Sequence, residues 1–318
     1  MRSGAQTLIL LSTPLNASIL NELSKGPSSR QLDLRRATGS PAQSTLRTHL
    51  NRLVDIGVIV KHRRDRFPGV LEFILTDAGT ELLAVARMVD QWLGSRPSEP
   101  TNLGTMPAKA AIKALVESWS TTILRALAAG PLSLTELDRV ISTCNYPTLE
   151  RRLSAMRLAG QVVARPGNGR GTPYAVSDWL RRGVGVIAEA ARWEQRHLPG
   201  AGNPLGRIDI EAIFLLALPL VRLPDDLGGS CRLAVELNAG PRRAMAGALV
   251  DIENGRLARC NTSLDGYPDA WITGTTSAWL NALTKANIDS LELGGDGHLT
   301  RHILSGLHRA LPGSAVAA

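Results

Sequence analysis

The side chains best placed to do chemistry in this chain are cationic and hydrogen-bonding ones. Lys61, His62, Arg63, Arg64 and Arg66 follow one another with only Asp65 between them. Such a loop suits contact with phosphates, which releases condensed counterions, or insertion into a narrow groove of a duplex; a solvated charge run is the alternative. Upstream, Gln43, Ser44, Arg47, Thr48 and Asn51 bring together amide, hydroxyl and guanidinium groups, the set that pairs with base edges. Tyr146, Thr148, Arg151 and Arg152 make a similar set further along, followed by Arg165 and, within PGNGRGTP (166–173), Arg170.

Metal and catalytic chemistry find less support. His298 and His302 stand one helical turn apart beside Asp296, but HLTRH lacks the glutamate of a zincin motif and no further ligand cluster accompanies it. Asp296 reads better as a helix cap. GNGRG (167–171) is glycine-rich yet lies on a hairpin, not between a strand and a helix, so it is no phosphate cradle. Cys144, Cys231 and Cys260 are far apart, which suits small apolar roles in a reducing compartment. The expectation is a chain with no metal, no cofactor and no catalytic set, a non-enzyme.

The elements that position the basic and polar sets come from an internal repeat. ILNELSKGP (19–27) returns as ILRALAAGP (123–131), and Leu46, Leu50, Leu53 and Gly57 return as Leu149, Leu153, Met156 and Gly160. Gly79 is matched to Gly183. A period of domain size implies a duplicated domain, not a solenoid. Each copy reads as three helices, a two-stranded hairpin and a long helix. In the first copy these are helices at 16–25, 28–37 and 40–56, strands at 58–61 and 70–76, and a helix at 77–93. Ser40 serves as N-cap of the third helix, with Pro41 at its first position. In the second, Asn145 caps a helix at 146–159, strands fall at 162–165 and 174–177, and a helix follows at 184–197. The leucine stripe of each third helix must face a core, so the polar sets fall on the opposite side. Polar residues do so on every amphipathic helix; the repeat and the hairpin are what favour a duplex as partner.

Charge follows the same division. Residues 1–100 hold 13 Lys+Arg against 9 Asp+Glu, residues 101–200 hold 13 against 7, and residues 201–318 hold 10 against 12. The first two segments are therefore net +4 and +6 and the last −2, so a polyanion is expected only for the N-terminal part. The uncharged run at 212–220 is too short to span a bilayer.

WSTTILRALAAGPLSLTELDRVI (119–141) resembles the opening of HxlR-type winged helix-turn-helix regulators. The first copy resembles them through LRTHLNRLVDIGVI (46–59) and LTDAGTELL (75–83), though Leu15 stands where the family has Trp. Members usually carry one such domain and dimerise through the last helix. The resemblance therefore implies an intrachain pseudo-dimer, with helices 77–93 and 184–197 packed together. Beyond residue 205 a helix, an alternating strand, a hairpin turning at Asn254-Gly255 and a closing amphipathic helix form an α+β order. PDAWITGTTSAWLNAL (268–283) and LELGGDGHLTRHIL (291–304) resemble the sterol-carrier-protein-2-like fold. That resemblance implies an apolar cavity, with Phe214, Trp271 and Trp279 as its candidate lining; a filled structural module in which these aromatics are plain core is the alternative.

The expected architecture is α+β and multidomain: winged helix-turn-helix domains at 1–96 and 109–199, a linker at 97–108, and a sterol-carrier-protein-2-like domain at 205–313. The expected role is sequence-specific binding of double-stranded DNA in transcription regulation, modulated by a hydrophobic small-molecule effector. Location is expected to be cytoplasmic and nucleoid-associated, with no membrane insertion and with homo-oligomers open. Two alternatives stand beside this role: a lipid carrier with protein-association domains, and nonspecific architectural DNA binding.

Overall fold

The computed structural model describes residues 3–63, 71–97, 99–116, 118–142, 144–166, 171–198, 205–239 and 242–311. The first segment runs α1 (Ala5–Ser12), α2 (Pro14–Leu23), β1 (Ser29–Arg30), α3 (Gln31–Ala37), α4 (Gln43–Asp55), β2 (Ile59–Arg63), β3 (Leu71–Leu75) and α5 (Asp77–Gly94). The second runs α6 (Met106–Val116), α7 (Ser118–Ala129), α8 (Leu134–Val140), α9 (Tyr146–Leu158), β4 (Val162–Ala164), β5 (Tyr174–Val176), α10 (Asp178–Arg182) and α11 (Val184–His197). The third holds α12 (Arg207–Ala217), a 3-10 turn (Leu218–Leu220), β6 (Gly229–Ala239), β7 (Arg242–Glu253), β8 (Arg256–Asn261), β9 (Ala270–Thr275), α13 (Thr276–Lys285), β10 (Glu292–Gly295) and α14 (Gly297–Ala310).

Several hydrogen bonds recur between the first two segments. After α4, Gly57 turns at φ 74° and Val58 N–H donates to Leu53 O; after α9, Gly160 turns at φ 77° and Gln161 N–H donates to Met156 O. The Thr76 hydroxyl donates to Gly57 O at 2.6 Å and accepts from Gly79 N–H, closing the hairpin and capping α5 with one side chain. Ser177 does the same, donating to Gly160 O at 2.7 Å and accepting from Leu180 N–H. Ser29 pairs with Phe73 across the sheet as Leu132 bridges to Tyr174. Positions 58 and 161 lie 103 apart and positions 76 and 177 lie 101 apart, so the second hairpin is two residues shorter. Gly79 and Gly183 are therefore not counterparts; the N-caps Thr76 and Ser177 are, and Gly183 instead separates α10 from α11. Thr76→Ala and Ser177→Ala each remove a cap and a hairpin clamp, and each is expected to lower stability by about 1–2 kcal/mol in urea denaturation.

Three expectations from sequence are corrected. α4 begins at Gln43, with Ala42 as an N-cap that makes no side-chain bond. Ser40 lies before the helix at φ 54°, because Gly39 and Ser40 form a left-handed turn and Pro41 O is held by Arg35 Nε at 3.0 Å. The sheet of the first segment has three strands in the order β1-β3-β2, not two. α1 and α6 are additional helices, and α6 starts inside the stretch read as linker. Asn145 does cap α9, its side chain accepting from Thr148 N–H at 3.0 Å.

The third segment carries a sheet in the order β10-β9-β6-β7-β8, with β6 and β9 parallel and the other pairs antiparallel. Alternation sends Cys231, Leu233 and Val235 of β6 into the core, where they are 0%, 0% and 4% exposed. Asn254 and Gly255 turn the β7–β8 hairpin at φ 50° and 68°, the left-handed pair that such a two-residue turn needs. Asp296 caps α14, accepting from His298 N–H and Leu299 N–H. Buried side chains of all three segments join one continuous cluster. α12 packs on α7 and α13 on α11. Arg181 closes the junction by donating to Leu215 O at 2.9 Å near the C-terminal end of α12, and Arg125 pairs with the buried Glu211.

Candidate nucleic-acid interface

Leu46, Leu50 and Leu53 turn one side of α4 into the core at 1% exposure or less. Gln43, Ser44, Arg47 and Thr48 are exposed on the other side and Asn51 is half-buried. Thr48 donates its hydroxyl to Ser44 O at 3.0 Å, which leaves its oxygen lone pairs as acceptors. Lys61, on β2, donates to Asn51 Oδ1 at 2.9 Å, tying the hairpin to the helix. Arg63 is exposed at the end of β2. Arg64 and Arg66 lie outside the described residues.

Sequence reasoning missed what holds this helix in place. Asn16 of α2 is buried, and its amide nitrogen donates to Leu10 O at 3.0 Å, which orients its oxygen toward His49 of α4. His49 Nδ1 lies 2.7 Å from that oxygen, so Nδ1 carries the proton. The signal available was a single Asn among the apolar positions of a helix. Burial first, and then the charge of Arg52, lower the His49 pKa below its usual value of 6.5. A lowered folded-state pKa means that the unfolded chain binds the proton more readily. The stabilisation is thus complete above pH 6.5 and is lost as pH falls below it. Acidification from pH 7.5 to 5 is expected to destabilise the wild type more than His49→Gln, compared by urea midpoints. Equal losses would rule this role out.

On α9, Leu149, Leu153 and Met156 are buried, Tyr146 is 43% exposed, Arg151 is exposed, and Thr148 and Arg152 are half-buried. Arg165 is exposed beyond β4, its backbone N–H held by Pro173 O at 2.8 Å. Arg170 lies outside the described residues.

A tryptophan clasp sets one polar helix relative to the other. Trp92 of α5 and Trp179 of α10 stack with centroids 4.3 Å apart and planes 5° from parallel. Each indole N–H donates to the other residue's backbone carbonyl, at 2.9 and 2.7 Å. Trp193 of α11 donates to Ala78 O at 2.9 Å. Trp92 and Trp193 stand 101 positions apart, and each donates an indole N–H to a backbone carbonyl, of Trp179 and of Ala78, which are also 101 positions apart. Arg96, just past α5, donates to Leu158 O at 2.6 Å, where a cation meets the C-terminal carbonyls of α9.

In the third segment, Phe214 and Trp279 meet edge to face at 5.2 Å beside a cavity of about 30 Å³. Trp271 is not part of that lining. It lies between the fully buried Ala270 and Ile272 of β9, so alternation puts it on the opposite face of the sheet, 36% exposed. His298 is exposed and His302 half-buried, with Nε2 atoms 3.1 Å apart. No group of three or more metal-ligating side chains occurs among the described residues. No helix among them is long and apolar enough to cross a membrane.

No curated protein matches the chain. Residues 10–99 match the family model of the HxlR-like helix-turn-helix. That span opens inside α1, ends just past α5, and takes in the polar face of α4 together with β2 and β3. Residues 10–99 of this chain are an HxlR-like helix-turn-helix domain.

Proposed function

We propose that the chain is a sequence-specific DNA-binding transcription regulator with two winged helix-turn-helix domains, followed by a sterol-carrier-protein-2-like module. The observation that carries this reading is the exposed polar face of α4 within an HxlR-like helix-turn-helix domain. Gln43, Ser44, Arg47, Thr48 and Asn51 are proposed to meet base edges, and Lys61, Arg63, Arg64 and Arg66 to meet phosphates. The recurring hydrogen bonds support a duplicated domain, in which Tyr146, Thr148, Arg151, Arg152, Arg165 and Arg170 take the equivalent roles. The two-way tryptophan contact supports an intrachain pseudo-dimer, one chain reading two half-sites. The outward faces of α4 and α9 differ, so those half-sites differ too. Such a protein works at the nucleoid.

Modulation by a hydrophobic effector in the third segment requires the Phe214–Trp279 pair to open, since the cavity beside it has room for little more than water. Its packing on α7 and α11 is the route by which that opening would reach the DNA-facing helices.

Footprinting of the tagged protein on genomic DNA, followed by gel shift at physiological salt with excess competitor, tests the reading. A protected asymmetric site that survives competitor is the expected result. Uniform affinity for all duplexes would mean architectural binding, and no affinity would leave a carrier.

A further inference from the structure

The inter-domain connection does not run free. Thr101 N–H donates to Leu93 O at 3.3 Å, Leu103 N–H donates to Asp90 Oδ1 at 2.7 Å, and the hydroxyls of Thr101 and Thr105 lie 2.8 Å apart. Gly104 turns at φ 86° against Pro14 at the start of α2. The segment is thus strapped back across the groove between α2 and α5, and it roofs a pocket of about 320 Å³. That is the size of a small-ligand site and far larger than the cavity beside Phe214 and Trp279.

Its lining divides by chemistry. Ala17, Leu83 and Ala86 supply an apolar floor, backed by the buried Leu11 and Leu20. At the rim are the exposed Arg87 and the side-chain amides of Asn21 and Asn102, one amide on α2 and the other on the strap. Among the described residues Arg87 has no ion-pair or hydrogen-bond partner, and neither amide is bonded through its side chain. Asp90, the other charged group of the lining, already gives one oxygen to the Leu103 amide.

An unpaired guanidinium with two amides above an aliphatic floor matches one ligand class. We infer that this pocket binds a small amphipathic monocarboxylate, its carboxylate on Arg87 and its apolar body against Leu83 and Ala86. Guanidinium and carboxylate pair through charge-assisted, often bidentate hydrogen bonds that a neutral amide does not reproduce. Occupancy is reported by the strap, since Asn102 and Leu103 are both lining and connection. Extending this to control of DNA affinity rests on the regulator reading above; the binding site does not.

Butanoate, octanoate, benzoate and phenylacetate, each beside its primary amide, are titrated onto the full chain without DNA and followed by ligand-observed NMR. At least one acid is expected to saturate about tenfold more tightly than its amide. Arg87→Gln should erase that preference while leaving the thermal midpoint unchanged, and Leu83→Trp should block acid and amide alike. The assignment is overturned if no acid saturates, or if the preference survives Arg87→Gln. Gel shift with and without the best acid is then read separately. Binding without any effect on DNA removes the regulatory link and keeps the site; a chain without DNA affinity leaves the NMR result standing.

Discussion

Trp92→Ala is expected to lower the unfolding free energy by about 3–5 kcal/mol, the range for emptying a buried aromatic site. Trp92 is 3% exposed, lies flat on Trp179 and donates to its carbonyl. Alanine removes the ring, leaves a cavity, and strands the buried Trp179 carbonyl together with an indole face. Trp92→Phe keeps most of the ring and loses one donor, so it should cost about 1–2 kcal/mol. Trp193→Ala, at the counterpart position without a stacked partner, should fall between the two. A double-mutant cycle of Trp92→Phe with Trp179→Phe is expected to return a coupling of about 0.5–1.5 kcal/mol. Urea denaturation followed by circular dichroism measures these values. A loss below about 1 kcal/mol for Trp92→Ala would show that the first two segments hold together without the clasp.

The second large effect concerns the proposed DNA contacts, where two arginines should behave differently. Arg47 stands exposed on the polar face of α4 and Arg63 at the end of β2. Arg47→Ala should weaken the preferred site by about 1–3 kcal/mol and relax base preference at one position, because a guanidinium aimed at a base edge carries sequence information. Arg63→Ala should weaken all sequences by a similar factor and reduce the salt slope by about one, because a phosphate contact carries only charge. Arg47→Ala combined with Arg151→Ala should be additive in free energy, as the two arginines sit on separate helices with no shared partner. Fluorescence anisotropy over a salt series separates these outcomes. If Arg47→Ala left the ratio of specific to nonspecific affinity untouched, α4 would not be the reading helix.

What could be read from the residues alone was local. The stripe Leu46, Leu50, Leu53 followed from helical periodicity, and its burial placed Arg47 and Thr48 outward. The Asn145 and Asp296 caps and the turn at Asn254-Gly255 followed from side chains and dihedral preferences that act within a few residues. The HxlR-like character of residues 10–99 was legible for the same reason, since core spacing, turn and hairpin all lie in one short stretch. Even local signals failed where a distant group competed: Ser40 has the chemistry of a cap, but Arg35 holds the Pro41 carbonyl and delays the helix to Gln43.

The packing of α5 on α11 was expected from the family resemblance, but the side-chain contacts that join the segments were decided by the tertiary structure. Trp92 and Trp179 are separated by 87 positions, and no periodicity relates one to the other. The match of Gly57 to Gly160 was legible in the sequence, but that of Thr76 to Ser177, in place of Gly79 to Gly183, was visible only in shared hydrogen bonds. Trp271 and Trp279 have the same composition signal, but Trp271 stands on the outer face of β9 while Trp279 of α13 is buried against Phe214. Composition and spacing report on free energies that act along the chain; stacking, carbonyl capping and pocket formation depend on which distant surfaces exclude water together, and that is settled only when the whole core closes.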